Sequence, residues 1–545
     1  VNTSGGRSRT NLIGFITIAL MVSSCGLRAG VSTSASGTNS GSSGASGGLS
    51  PGADSSANGQ NIDTGAAGST GATGGATGSA AAGGTSASGG GATSGGGAAA
   101  TGGGSGGGTS GGATGGGGGG GGGGAVAGGI AISGPDSQGV SSNRIKIGIL
   151  APISGAAGFL GANEVDATNA YFDLANSRGG VRGHTYQTVV LDTQFDPSVE
   201  ATDARQLIDQ QKVFALFSVF GDSEGPYVAS KGIPEVVAGF TPPAFSSKYP
   251  TTYPMAFSAI EGVADMAYYL TQVKKLPIHS TAVLYDTQNA PIGPWVPFLA
   301  KAWQIWGVNV KSTDPFNLSD ADCTQLTLKV KGEGIDFWQL AQSLGWPICQ
   351  QAMARQNWTP PFGRGGPYTA DTHFVGQVGP AAEGIYAEDT GVQIAINTGQ
   401  PYPADPSGKA PKVDDFINSM KKYSPNSGDI GSLENVWSQS FWSGAELIDQ
   451  AIHAQTQAIT WKGVNQWIQG QTHWVSGLTQ PQNFTPTCKS GAQMWMFQWK
   501  NNGGTLVQPD WHQYGGVVNL PDSVKNQIVP GGGACWLTKA ADAGL

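Results

Sequence analysis

Between residues 31 and 130 the chain has almost nothing to bury. That tract holds 41 of the 89 glycines, Ala, Ser and Thr fill most of the rest, and Asp54 and Asp63 are its only charges. Without apolar side chains the entropy of ordering its backbone cannot be offset, so the composition predicts a flexible linker. The strict Gly-X-Y period and high proline content of collagen are both missing. Whatever folds around a core must therefore lie after it.

Beyond the linker, Asn143 to Leu545 comprises about 400 residues, enough for two ordinary domains. Residues 1–142 carry three basic and three acidic groups, so the formal net charge of −8 falls wholly on this later part. A mildly acidic surface argues against nucleic acid as the main partner.

Ahead of the linker, Arg7 and Arg9 precede an apolar run from Leu12 to Val22 that is short for a bilayer span. Charge followed by a short apolar run is the order of an export signal. Val22-Ser23-Ser24-Cys25 then resembles a bacterial lipobox, in which the cysteine receives lipid and becomes the mature N-terminus. Residues 1–25 are thus expected to be a lipoprotein signal peptide, residues 26–142 a tether, and the protein exported and held on the outer face of the bacterial cytoplasmic membrane by Cys25. Four cysteines remain, Cys323, Cys349, Cys488 and Cys535. An even number in an exported protein favours two disulfides. Three pairings are possible; Cys323 with Cys349 and Cys488 with Cys535 is favoured, because each would join neighbours within one supersecondary unit. Neither Cys-x-x-Cys nor a Cys/His cluster is present, and no metal or cofactor is expected.

From Asn143 short apolar strands alternate with amphipathic helices. Ile145 to Leu150 reads as a strand ending at the turn formers Pro152, Ser154 and Gly155. A helix fits Asn163 to Ser177, with Val165, Phe172 and Ala175 on one face. Thr188 to Asp192 reads as a strand. Asp196 before Pro197 reads as a helix start that turns Ala201, Ala204 and Ile208 inward. Val213 to Phe220 is apolar on both faces, as a central parallel strand should be. Further strands are expected at Thr281 to Tyr285, Val308 to Ser312 and Ile335 to Leu340, with helices at Pro297 to Trp306 and Cys323 to Lys331. Regular βα alternation implies parallel sheets flanked by helices, and this length implies two lobes. Ligands of such sheets bind beyond the carboxyl ends of the strands.

Ile147-Gly148-Ile149-Leu150-Ala151-Pro152-Ile153-Ser154-Gly155, Asn176 to Gly183, Asp192, Asp196-Pro197 and Ala204-Arg205-Gln206-Leu207-Ile208 resemble the opening of type I periplasmic binding proteins. Ala382-Glu383-Gly384-Ile385-Tyr386 and Phe497 to Gly503 continue the match. Within that family the chain is most similar to the branched-chain amino-acid (Leu/Ile/Val) receptors of ABC importers. The resemblance implies an α/β, two-lobed fold whose lobes are mostly parallel sheets flanked by helices. Three hinge crossings are placed near Ser258 to Glu261, Asp389 to Gly391 and Thr479 to Thr485. Residues 143–260 and 391–480 would form the amino-terminal lobe, and residues 261–390 and 481–545 the other. Closure on a small solute would present it to a membrane permease.

Carried over residue by residue, the resemblance places ligand contacts at Ser154 and Gly155, at Asp222 and Ser223 within Gly221-Asp222-Ser223-Glu224, and at Gly239, Phe240 and Thr241. From the other lobe it places them at Gln288, Asn289, Ser343 and Asp371. The acid that pairs with an amino-acid ammonium has no counterpart in Gly363 to Tyr368, and Asp371 lies a few residues late. Asp222 and Glu224 would also repel a ligand carboxylate. A neutral or cationic solute, an amide or an aromatic compound, is expected unless Asp222 and Glu224 face solvent and backbone groups make the contacts. Trp295, Trp338 and Trp346 could stack on a ligand, although core positions suit tryptophan better.

Gly221-Asp222-Ser223-Glu224-Gly225 also satisfies the G-x-S-x-G pattern of a hydrolase nucleophile. His453, His473 or His512 could nominally serve as its base, but no HGGG-like oxyanion loop precedes Ser223. A trypsin-like arrangement would need its His upstream, where His184 is the only one. Catalysis is therefore not expected. A surface sensor with the same fold is the remaining alternative to transport.

Overall fold

The computed structural model describes residues 136–155, 157–287, 292–370, 372–389, 412–424, 436–479, 481–491, 494–502, 505–507 and 520–544. All belong to one compact unit, Gly116–Leu545. The signal, Cys25, most of the tether, Gln288, Asn289 and Asp371 lie outside the described residues.

The first half alternates β1 (Arg144–Ala151), α1 (Gly158–Ser177), β2 (Thr185–Asp192), α2 (Pro197–Arg205), β3 (Ala215–Ser218), α3 (Gly225–Lys231), β4 (Glu235–Val237), α4 (Pro242–Phe245) and β5 (Thr252–Pro254). These strands form one sheet in the order β2-β1-β3-β4-β5, parallel throughout. Asp196 starts α2 as its sequence position demands: its Oδ1 accepts from Ser198 N at 2.7 Å and Val199 N at 3.3 Å, a cap worth about 1 kcal/mol.

After α5 (Ala259–Tyr268) the pattern repeats with β6 (Ser280–Tyr285), α6 (Val296–Gln304), β7 (Asn309–Pro315), α7 (Thr324–Glu333), β8 (Phe337–Gln342), α8 (Trp346–Arg355), β9 (Arg364–Gly366), α9 (Thr372–Val378) and β10 (Tyr386–Asp389). The second sheet runs β11-β10-β9-β8-β6-β7, where β11 (Trp495–Gln498) is its antiparallel edge. Between β10 and β11 come α10 (Val413–Tyr423), α11 (Val436–His453) and α12 (Trp461–Gln469). Helices α10 and α11 pack on α1, which returns the chain to the first lobe. The two-lobed α/β architecture expected from the sequence is therefore present. The small β12 (Lys500–Asn502) and β13 (Thr505–Val507) form a hairpin, and α13 (Asp522–Ile528) and α14 (Trp536–Gly544) close the described chain.

Three differences from the sequence reading have physical causes. The folded part reaches back to Asp136, inside the expected tether, because Gln138 Nε2 donates to Ile208 O at 2.8 Å and Ser137 Oγ to Ile459 O at 2.9 Å. Helix α1 buries Leu160, Glu164, Ala167 and Thr168, whereas Val165 and Ala175 are only half-buried. The segment around Lys489, assigned by sequence to the second lobe, is held by the first: Lys489 Nζ donates to Ala244 O, Tyr249 O and Thr252 O at 3.2, 2.6 and 2.9 Å. Asp542 of α14 likewise accepts from Ser246 and Ser247 at 2.6 Å each. Disulfides join Cys323 to Cys349 and Cys488 to Cys535. Trp295, Trp338 and Trp346 are fully buried core residues.

Candidate functional site

Both sheets share one strand order, and in each the order reverses beside the first strand, between β1 and β3 and again between β6 and β8. Loops leaving such strands at their carboxyl ends diverge and open a crevice. In the first lobe those loops are Pro152–Gly155, Phe220–Glu224 and Gly239–Thr241. In the second the described ones are Asp286–Thr287 and Ser343–Gly345. Across the lobes Phe159, on the first turn of α1, meets Phe374 of α9 edge-on at 4.9 Å, and Phe374 lies 6.3 Å from Trp346.

Ser154 and Gly155 are exposed at the end of β1. Asp192, closing β2, fixes this loop by accepting from Ile153 N at 3.0 Å and Ser154 N at 3.3 Å. Burial would raise Asp192, but hydrogen bonds from the Ser154 hydroxyl and the N–H groups of Gln194, Ser154 and Ile153 outweigh it and hold the carboxyl below its ordinary range.

The loop after β3 is unusual. Glu224 is fully buried, and the carboxylate oxygens of Asp222 are shut off from solvent. The alternative in which both acids face water is thereby overturned. Glu164 of α1, Glu200 of α2 and Glu235 of β4 converge on the same place, with Glu224 as their common neighbour. Burial first, and then the Glu224 charge, push Glu164 and Glu235 well above the ordinary carboxylate range. Burial likewise raises Asp222, Glu200 and Glu224, with the Ser223 hydroxyl's hydrogen bond partly opposing the rise at Glu200. Neither oxygen of Glu164 has a hydrogen-bond partner among the described residues. No group of three acids, cysteines or histidines among them is placed to hold a metal ion.

Ser223 Oγ lies 2.7 Å from Glu200 Oε2 and 3.1 Å from Glu224 Oε2. Its neighbours are carboxylates, and His453 is engaged elsewhere, with Nδ1 3.0 Å from Asp449 O. The serine of the G-x-S-x-G match has no histidine among its hydrogen-bond partners in the described residues.

At the next loop Gly239 (φ +113°) and Phe240 (φ +72°) both take left-handed backbone. A Cβ on Gly239 would lie 3.0 Å from Phe257 O, so the turn requires glycine there. Phe240, a non-glycine in that region, is held there by packing at 4.5 Å on Phe257 and 4.9 Å on Trp437. Thr241 Oγ1 donates to Phe220 O at 3.2 Å and so links the two loops. In the second lobe Ser343 is buried, its hydroxyl donating to Phe316 O at 2.5 Å and accepting from Gly345 N at 3.2 Å. That hydroxyl shapes the turn into α8.

Sequence reasoning missed Glu164, Glu200 and Glu235. The available signal for Glu164 was its helical spacing from Leu160 and Ala167, which places an acid on the apolar face of α1.

A sequence profile of the periplasmic binding proteins matches residues 144–505, and the chain belongs to that family, whose members bind solutes and carry out no chemistry on them. A relative is the leucine-, isoleucine-, valine-, threonine- and alanine-binding protein of Pseudomonas aeruginosa, 24% identical over 216 residues. That match covers 38% of this chain and spans only 56% of the relative's length. Among solved structures, a fatty acid ABC transporter substrate-binding protein from Thermomonospora curvata superposes with TM-score 0.57 at 18% identity, covering 69% of this chain and 94% of that one. A branched-chain amino acid ABC transporter protein from Thermus thermophilus with bound valine gives TM-score 0.57 at 17% identity, covering 68% and 96%. A solute-binding protein from R. palustris in complex with 4-hydroxybenzoate gives TM-score 0.54 at 16% identity, covering 68% and 96%. These likenesses establish the fold. No helix among the described residues is long and apolar enough to cross a membrane.

Proposed function

We propose that this protein is the extracytoplasmic solute receptor of an ABC importer, anchored through lipid on Cys25, and that its solute is neutral or cationic rather than a free carboxylate. The observation that carries the reading is the loop Asp222-Ser223-Glu224 backed by Glu164, Glu200 and Glu235. Carboxyls crowded in a buried site keep their protons, and a protonated carboxyl donates a hydrogen bond to a carbonyl oxygen. An amide satisfies such donors. A cation instead draws one carboxyl into its charged form and pairs with it. A carboxylate adds negative charge to the same buried cluster and gains no counter-charge there.

Relatives of this fold bind solutes as different as valine and 4-hydroxybenzoate, so the fold alone leaves the ligand open and the loop chemistry selects it. Ser154, Gly155, Gly239, Phe240 and Thr241 would complete the first lobe's contacts, and Gln288, Asn289, Ser343 and Asp371 those of the second. A tether of roughly 110 residues has an r.m.s. reach of about 60 Å, enough to let the lobes travel between the cell-wall space and a permease.

A thermal-shift screen of solutes, with mass spectrometry of what co-purifies, tests the ligand class; tight binding of leucine or valine would overturn it. Loss of uptake on deleting the chain supports transport. Unchanged uptake with a lost response to the solute would point to a sensor.

A further inference from the structure

A cavity of about 360 Å³ opens at the end of the second sheet remote from the cleft. Helix α8 starts near the cleft at Trp346 and runs away from it, so Met353, Asn357 and Trp358, which line the cavity, lie at its far end. Arg364, another lining residue, is the first residue of β9, opposite the carboxyl end that faces the crevice. The turn Gly379–Ala382 and Glu383 complete the wall.

Arg364 is only 5% exposed. Its Nε donates to Gln350 Oε1 at 2.8 Å and its Nη2 to Ala381 O at 2.6 Å. Both acceptors are neutral, and no carboxylate among the described residues is hydrogen-bonded to it. Burial lowers its pKa to about 10, which leaves it charged in neutral solution. A buried cation served only by dipoles lacks the counter-charge that would repay its desolvation. Elsewhere buried guanidinium groups take planar oxyanions as partners. The cavity's size falls within the range of small-molecule sites.

We propose that this cavity is a second ligand site, separate from the interlobe cleft, that takes a small organic carboxylate, with its carboxylate on Arg364 and its apolar body against Trp358 and Met353. Glu383 is exposed at the rim and weakens such a ligand by like-charge repulsion. Because Arg364 also ties β9 to α8, its replacement has a structural effect as well as a binding one, whereas replacing Glu383 does not.

Calorimetric titration of the full chain with benzoate, and with benzamide as its neutral counterpart, tests the site. Benzoate should bind saturably, weaken at least about tenfold in Arg364→Gln, and tighten roughly threefold in Glu383→Gln; benzamide should bind at least about tenfold more weakly. If Arg364→Gln does not fold, the Glu383→Gln result decides. Unchanged benzoate affinity in Glu383→Gln, equal affinity for benzamide, or no saturable benzoate binding overturns the proposal.

Discussion

The two lobes repeat one strand order but bury different ionisable groups behind it. At the loop after β3 the first lobe gathers Glu164, Glu200, Asp222, Glu224 and Glu235, with pKa values raised by burial. The second lobe holds Arg364 at the end away from the cleft and keeps a neutral turn, Ser343–Gly345, toward it. A shared scaffold thus leaves the ligand's chemistry to a few loop and helix positions, as expected of folds that host many functions. Burial raises the first lobe's acids toward their neutral form, whereas the guanidinium of Arg364 stays charged in neutral solution.

The largest test of this contrast removes the first lobe's internal cation. Lys489→Met leaves Ala244 O, Tyr249 O and Thr252 O without their donor and removes, near Glu235, an amine whose pKa burial lowers to about 7. A loss of about 3 kcal/mol or more is expected in urea unfolding; a loss under about 1 kcal/mol would show that the lobe does not depend on this residue.

A smaller effect arises from the raised carboxyls. A folded-state pKa above the unfolded one gives stability that is complete below the ordinary value of 4.5 for Glu and is lost as pH rises through the folded value. The ligand-free protein should therefore lose melting temperature between about pH 5 and pH 8. Acids near the first crossing add to the same slope: burial pushes Glu261 up to about 7 and raises Asp265 and Glu388. Glu164→Gln should remove that residue's part of the first lobe's share, on the order of 1 kcal/mol or more at pH 8, and make the curve less steep. A variant with an unaltered slope would place the pH dependence elsewhere.

The smallest expected effect is none. Deleting residues 26–135 should leave solute affinity unchanged in calorimetry, because the tether is proposed to position the lobes and not to bind. A large affinity loss would break the division between positioning and binding parts.

Much of the scaffold was legible because its signals are local. The run Ile145 to Leu150 sits within β1, and Asp196 with Pro197 opens α2 as a capping residue should. Strands β4 and β9 were not read, since three residues are too few to show a period and Arg364-Gly365-Gly366 has no apolar member. The loop Gly221–Gly225 was placed, but the partners of its acids were not. Glu164 lies on a helix whose apolar periodicity pointed to Val165, and only tertiary packing brings it toward Glu224. Lys489 was invisible as a first-lobe residue because its three partners are backbone carbonyls more than 230 positions away.

The central claim, that buried acids behind Asp222-Ser223-Glu224 choose a neutral or cationic solute, is tested most directly by titrating matched pairs, each a carboxylate and its amide, with leucine and leucinamide among them. For binding at the interlobe cleft, recognised by its sensitivity to Glu164→Gln, the account predicts that the amide of each pair binds at least about tenfold tighter and that Glu164→Gln narrows the gap. Carboxylates whose Glu164-sensitive binding is as tight as that of their amides, or leucine tighter than leucinamide, would contradict it.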